Sequence, residues 1–169
     1  NGKENFVIVD IGAKTTTVNV VHNDNLTLSH SIDVGGDSLS EILVEKLGFD
    51  FNEAEKSKRQ YGVKKEKKNI RQSLLYEIDK ILAEIEQISK EFTQKQGVEP
   101  EEVILAGAAG QMPGLIEYAK DYLGKKVKTS NPFSNISYPS ILEEKLKEIG
   151  PSYSIAVGSA LKKIIQNGN

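Results

Sequence analysis

The sequence predicts an α/β fold: a five-stranded mixed sheet in the order 3-2-1-4-5, with helices packed on it and a helical insertion. Three observations predict it. Five short apolar or alternating runs read as strands. The first three are joined by short turns and read as a hairpin meander, and the segment between the third and fourth strands is long and helical in period.

Residues 6–10 form a continuous apolar run, as expected of a strand buried on both faces. Residues 15–21 alternate, with Val18 and Val20 on one face, and residues 26–34 alternate through Leu26, Leu28, His30, Ile32 and Val34. Asn23-Asp24-Asn25 joins these two as a hairpin loop of turn formers. His30 reads as a satisfied core or sheet-edge histidine rather than a metal ligand. After Gly35-Gly36, Ser38-Leu39-Ser40-Glu41 reads as a capping box, and Gly48 ends the helix it opens. Asp50 and Glu53 open a second helix that ends at Tyr61-Gly62, and a third runs from about residue 64 to 96. On that third helix Leu74, Ile78, Ile81, Ile85, Ile88 and Phe92 are spaced by threes and fours. The spacing admits self-association through a coiled coil, but packing on its own domain is the favoured expectation. The lysines of residues 64–68 lack interleaved aromatics and read as a solvated face, not a nucleic-acid site.

Residues 103–106 make a short, wholly apolar strand that enters the turn Gly107-Ala108-Ala109-Gly110. Pro113 suits the first position of the next helix, which ends at Gly124. Residues 125–129 read as an edge strand, and residues 140–149 and 152–165 as two closing helices. The outline is a hairpin meander, a helical insertion, then a second β/α stretch.

Composition narrows the function classes. The 169 residues are 38% hydrophobic and 27% charged, with a formal net charge of −2. Nothing in that total favours nucleic acid or an acidic surface as partner. The absence of cysteine removes disulfides, thiolate catalysis and thiolate metal sites, and two histidines are too few for an ordinary zinc site. No apolar run approaches the roughly 20 residues of a membrane-spanning helix. The chain begins with Asn, and its sole methionine is Met112, so it reads as part of a longer protein.

Two glycine-bearing turns follow strands far apart in sequence. In Asp10-Ile11-Gly12-Ala13-Lys14-Thr15-Thr16, Gly12 lets turn N–H groups converge on an anion, Thr15 and Thr16 supply hydroxyl donors, and Asp10 can hold a hydrated divalent cation through water. The turn from Gly107 to Gly110 precedes a predicted helix N-terminus, which favours negative charge. Gly35 and Gly36 offer a third close-approach backbone. In an open α/β sheet such turns line one crevice at the carboxyl ends of the strands. Glu55 and Lys58, three apart on an exposed helix, read by themselves as ordinary surface pairing.

In that order these residues resemble a family, the actin-like ATPases, whose fold is ribonuclease H-like and which includes the DnaK-type chaperones and the cell-division protein FtsA. Asp10 to Thr16 resembles its second phosphate loop, and Gly35-Gly36-Asp37 the di-glycine where its helical insertion begins. Glu55-Lys56-Ser57-Lys58 resembles the insertion helix that touches ribose and adenine. Residues 105–115 resemble the adenosine motif, and residues 153–161 the last connecting helix at the interdomain hinge. Ala13, Asn131-Pro132-Phe133 and the Ala156-Val157-Gly158-Ser159-Ala160 helix are most similar to the PilM family of type IV pilus assembly.

The resemblance implies a cytoplasmic assembly platform at the inner face of the membrane, binding ATP and Mg through Asp10, Gly12, Lys14, Thr15, Thr16, Gly35, Gly36, Glu55, Lys58, Gly107, Ala108 and Gly110. Lys14 stands where relatives often have Gly or another small residue, and Ala108 replaces a customary Gly. The resemblance covers a second half, with residues 1–36 and 97–169 as the sheet subdomain and 37–96 as the insertion. The other half would hold the second phosphate loop, the catalytic groups and the groove for PilN, an inner-membrane pilus protein. At most weak ATP hydrolysis is implied for the whole protein and none for this stretch alone. The alternatives are an FtsA-like division protein and half of a small-molecule kinase of the same superfamily.

Overall fold

The computed structural model describes residues 5–167. Strands β1 (Asn5–Ile11), β2 (Thr16–His22) and β3 (Asn25–Ile32) form an antiparallel meander. The turn between β2 and β3 is tight enough to put Asn23 and Asp24 at positive φ, which short polar side chains tolerate. Helices α1 (Gly36–Leu47), α2 (Phe51–Tyr61) and α3 (Lys68–Gln96) follow. Then come β4 (Glu102–Ala106), α4 (Leu115–Leu123), β5 (Lys126–Thr129), α5 (Glu143–Ile149) and α6 (Ser154–Asn167). β4 lies parallel to β1 and β5 parallel to β4, so the sheet runs β3-β2-β1-β4-β5, the expected order with β1 at its centre.

One face of the sheet carries the core. Val7, Val9 and Ile11 of β1, Val18 and Val20 of β2, and Val103 and Leu105 of β4 are buried against Leu39 and Leu43 of α1 and Leu115 of α4. The α3 series from Leu74 to Phe92 is buried in the same cluster, at most 4% exposed, so the helix spends its apolar seam on its own sheet. Phe6, Ile8 and Ile104, on the other face, are only half-buried. The expectation that β1 is buried on both faces is therefore corrected: α1, α3 and α4 all pack on one side.

Several boundaries move for identifiable reasons. The N-cap of α1 is Gly35, three residues before the expected cap Ser38, and Ser38 sits at the third helical position with its hydroxyl accepting from the Gly35 N–H at 3.4 Å. Asp50 caps α2 as expected, its Oδ1 accepting from the Glu53 N–H at 2.8 Å. The third helix starts at Lys68 rather than near residue 64, because Val63 N–H is drawn away to the Pro113 carbonyl at 2.9 Å. Pro113 does not open α4. Gly114 intervenes at φ 79°, where a Cβ would stand 3.0 Å from the Lys64 nitrogen. His30 lies at the sheet edge and pairs with Glu84 of α3. Among the described residues no helix is long and apolar enough to cross a membrane.

Candidate functional site

Parallel pairing puts Asp10 beside Ala106, so the chain leaves β1 and β4 at the same edge and the two glycine turns emerge side by side. Their contact is close. Gly107 adopts φ 81°, and a Cβ there would lie 2.3 Å from the Ile11 carbonyl oxygen and 2.8 Å from Asp10 Oδ1. Only glycine fits both the backbone conformation and the space. The Gly107 N–H donates to the Pro151 carbonyl at 2.9 Å, which draws the segment before α6 against the same turn. The Asp10 carboxylate is half-buried, and burial pushes its pKa above the ordinary range for an aspartate with no cation offsetting it.

The start of α1 closes the second side. Gly36 N–H donates to the Gly12 carbonyl and Asp37 N–H to the Ala13 carbonyl, both at 2.8 Å, while Gly12 N–H donates to the Thr15 carbonyl at 3.0 Å. Gly35 is required by proximity, since a Cβ would meet the Ala13 carbonyl oxygen at 2.5 Å. The first donors of α1 are thus committed to the β1–β2 turn rather than held open for an anion.

α2 supplies the third wall through a buried polar network. Lys58, 6% exposed, donates to the Gly36 carbonyl at 2.6 Å, to Ser40 Oγ at 2.8 Å and to Glu55 Oε1. An ammonium has three protons, and all three are placed. Ser40 Oγ donates to Glu55 Oε1 at 2.6 Å, and Arg59 reaches Glu55 Oε2 at 3.1 Å. Burial alone would raise Glu55; the hydrogen bonds from Lys58 and Ser40 and the charges of Lys58 and Arg59 outweigh it and hold the carboxyl below its usual range.

Between these walls lies an open cleft of about 700 Å³. Gly12, Gly36, Glu55, Lys58 and Ala108, all singled out from the sequence, line it. So do Ala13, Asp37, Arg59, Met112 and Pro113, along with Glu148, Ile149 and Ser152 from the segment around α5. Asp10, Gly35 and Gly107 are not among the lining residues; they make the close contacts described above. Gly110 is buried, with Leu105 at 3.6 Å from where its Cβ would be. Lys14 and Thr15 are exposed and are not among the residues lining the cleft. Thr16 is fully buried and its Oγ1 donates to the Val34 carbonyl at 2.7 Å, so that hydroxyl secures the sheet. The turn after β4 leads into a single 3₁₀ turn, Ala109–Gln111, and α4 begins only at Leu115. The expectation of a helix N-terminus directly behind Gly107 is corrected accordingly. Among the described residues no three acidic or imidazole groups cluster to hold a metal ion.

The model of the type IV pilus assembly protein PilM family matches residues 1–164. The chain belongs to the PilM family. The PilM-family chain superposes on the solved PilM-PilN type IV pilus biogenesis complex with a TM-score of 0.81 and 26% identity, covering 95% of this chain and 46% of that one. It is 29% identical over 157 residues to the cell division protein FtsA of Enterococcus faecalis, covering 78% of this chain and 35% of that protein. The solved MreB 5 of Spiroplasma citri bound to AMPPNP matches 99% of this chain and 56% of its own, with a TM-score of 0.64 at 16% identity, a likeness of fold. The fold is therefore that of the actin-like ATPases, as the order of motifs implied. This PilM-family chain spans about a third of the FtsA relative and just under half of the PilM structure.

Proposed function

We propose that this PilM-family chain forms one wall of an ATP site in an actin-like protein that serves as a platform for type IV pilus assembly. The observation that carries the reading is the cleft itself: Gly12, Gly36, Ala108 and the Glu55 carboxylate line one opening at the carboxyl ends of β1 and β4. Ligands of open α/β sheets enter there. The related fold of MreB 5 was solved with AMPPNP.

In this account the two glycine turns approach the phosphates, and Glu55 accepts from a ribose hydroxyl. Met112, Pro113 and Ile149 give the base an apolar wall. Magnesium, when bound, would neutralise phosphate charge, and in this reading Asp10 would accept from one of its waters rather than bind it directly. A cost comes with that role, because the carboxylate is half-buried without a cation. Residues 37–96 would act as the insertion that carries Glu55 over the nucleotide, while residues 1–36 and 97–169 carry the turns. The partner is proposed to be a PilN-type protein, held by the other half of a longer chain and bringing the platform to the membrane. FtsA-like cell division is the second reading, supported by the 29% identity to that protein.

A nucleotide clamped by one wall stays wet, and charged contacts in water are weak. Calorimetric titration of Mg-ATP into this chain is expected to show binding weaker than micromolar. Titration into a chain of the PilM length should show far tighter binding. Micromolar affinity in the short chain would contradict the one-wall account, and no binding in the long chain would remove the nucleotide function.

A further inference from the structure

The charge of this chain is unevenly placed. Residues 56–72 contain eight cations and a single acid, Glu66, within a chain whose formal net charge is −2. Lys58 and Arg59 are answered by Glu55. Lys64, Lys65, Lys67 and Lys68, all exposed, have no ion-pair partner among the described residues. The contrast along α3 is sharp: Lys80, Lys90 and Lys95 each have a carboxylate three or four residues away.

Two of them, Lys67 and Lys68, also sit where folding does not want them. The first turn of α3 contains no acidic residue, and its N-cap, Lys67, makes no side-chain capping bond. A helix N-terminus carries partial positive charge, so cations there are unfavourable. The backbone beneath them is nevertheless well fixed. Val63 N–H donates to Pro113, Arg71 N–H donates to the Lys67 carbonyl at 2.9 Å, and Arg71 Nε to the Val63 carbonyl at 3.0 Å. Lys67 Nζ stands 5.1 Å over the Tyr61 ring. A rigid loop with uncompensated charge, kept against local helix preference, is the kind of conflict that functional surfaces show.

We propose that this basic loop, with the start of α3, docks on an anionic lipid bilayer. All four residues are lysines, compact point charges with no fork geometry to match a particular carboxylate. No aromatic residue alternates with them to stack nucleic-acid bases. Tyr76, 61% exposed two turns further along α3, lines a shallow groove with Ile42 and Leu47 and suits the headgroup level, where amphipathic rings settle. Four lysines give only reversible adhesion, so the loop would orient a platform that a partner also tethers. The inference does not depend on the nucleotide reading.

The test is sedimentation of this chain with vesicles of phosphatidylglycerol and phosphatidylcholine, against vesicles of phosphatidylcholine alone. Binding is expected only to the anionic vesicles and should be lost at about 1 M salt, where the screening length is about 3 Å. Each Lys→Gln change at 64, 65, 67 or 68 should weaken partition about fivefold, and all four together several hundredfold. Thermal melting of the fourfold variant should match or exceed wild type, since the changes relieve the helix terminus, and this shows that any loss of binding is not unfolding. The paired variant Lys145→Gln/Lys147→Gln should bind as wild type. Equal binding to neutral vesicles, no binding at all, or undiminished binding by the fourfold variant would overturn the proposal. So would concentration-dependent self-association that the fourfold variant abolishes, which would make the surface a contact between copies.

Discussion

Asp10 and Lys58 show how differently two charged residues of one site are treated. Burial raises the Asp10 pKa, so the folded state prefers the protonated form. A raised pKa means its favourable contribution is complete below the unfolded value of about 4 and is lost as pH rises through the folded value. At neutral pH the charged carboxylate is a burden on the empty protein. Asp10→Asn should therefore raise the melting temperature at pH 7, with the difference vanishing below about pH 4; thermal melts across that range check it, and a lower melting temperature at pH 7 would refute it. Lys58 is the reverse case, fully satisfied inside the fold. Lys58→Met strips Glu55 and the Gly36 carbonyl of a donor and should cost about 1–3 kcal/mol in urea unfolding at pH 7. Glu55 is held below its usual pKa, so its share is present above about pH 4.3 and fades as pH falls through the folded value. The loss on Lys58→Met should shrink in acid accordingly. The spacing of Glu55 and Lys58 read as an exposed pair, and only the resemblance made them ligand contacts. The pair forms, but Lys58 is buried and its three protons go to Gly36, Ser40 and Glu55, a burial that no spacing rule reveals.

At the scale of elements, α3 is the member that turns a meander into a core. Its seam from Leu74 to Phe92 is buried against β1, β2 and α1, and was legible because threes and fours recur over five turns. Ile85→Ala at the middle of that seam, where exposure is 0%, should cost about 2–5 kcal/mol by chemical denaturation. A loss under 1 kcal/mol would mean that the helix is not seated as described. Strand order was legible for a similar reason, since short hairpins and a right-handed crossover leave few arrangements. Helix starts were less so. Gly114 comes between Pro113 and α4, and the Pro113 carbonyl is held by the Val63 N–H, fifty residues earlier in the chain. The far wall of the cleft, Glu148, Ile149 and Ser152, lies in a stretch without strong periodicity and is placed by the bond from Gly107 to Pro151, which only the folded chain contains.

For the whole molecule, the PilM-family membership and the actin-like fold make this chain a body with an open cleft on one edge. On the proposed function, a second wall would complete that cleft and Asp10 would hold a metal-bound water between the two walls. Asp10 is therefore the residue whose loss separates a ligand role from a structural one. If it served only its own turn, removing it would change stability by about 1 kcal/mol and leave ligand response intact. The most direct measurement is the thermal melting of a chain of the PilM length, wild type and Asp10→Ala, with and without Mg-ATP. The wild type is predicted to melt higher with Mg-ATP, and Asp10→Ala to remain folded with no ligand-induced rise; an Asp10→Ala protein that keeps the full wild-type rise would contradict the account.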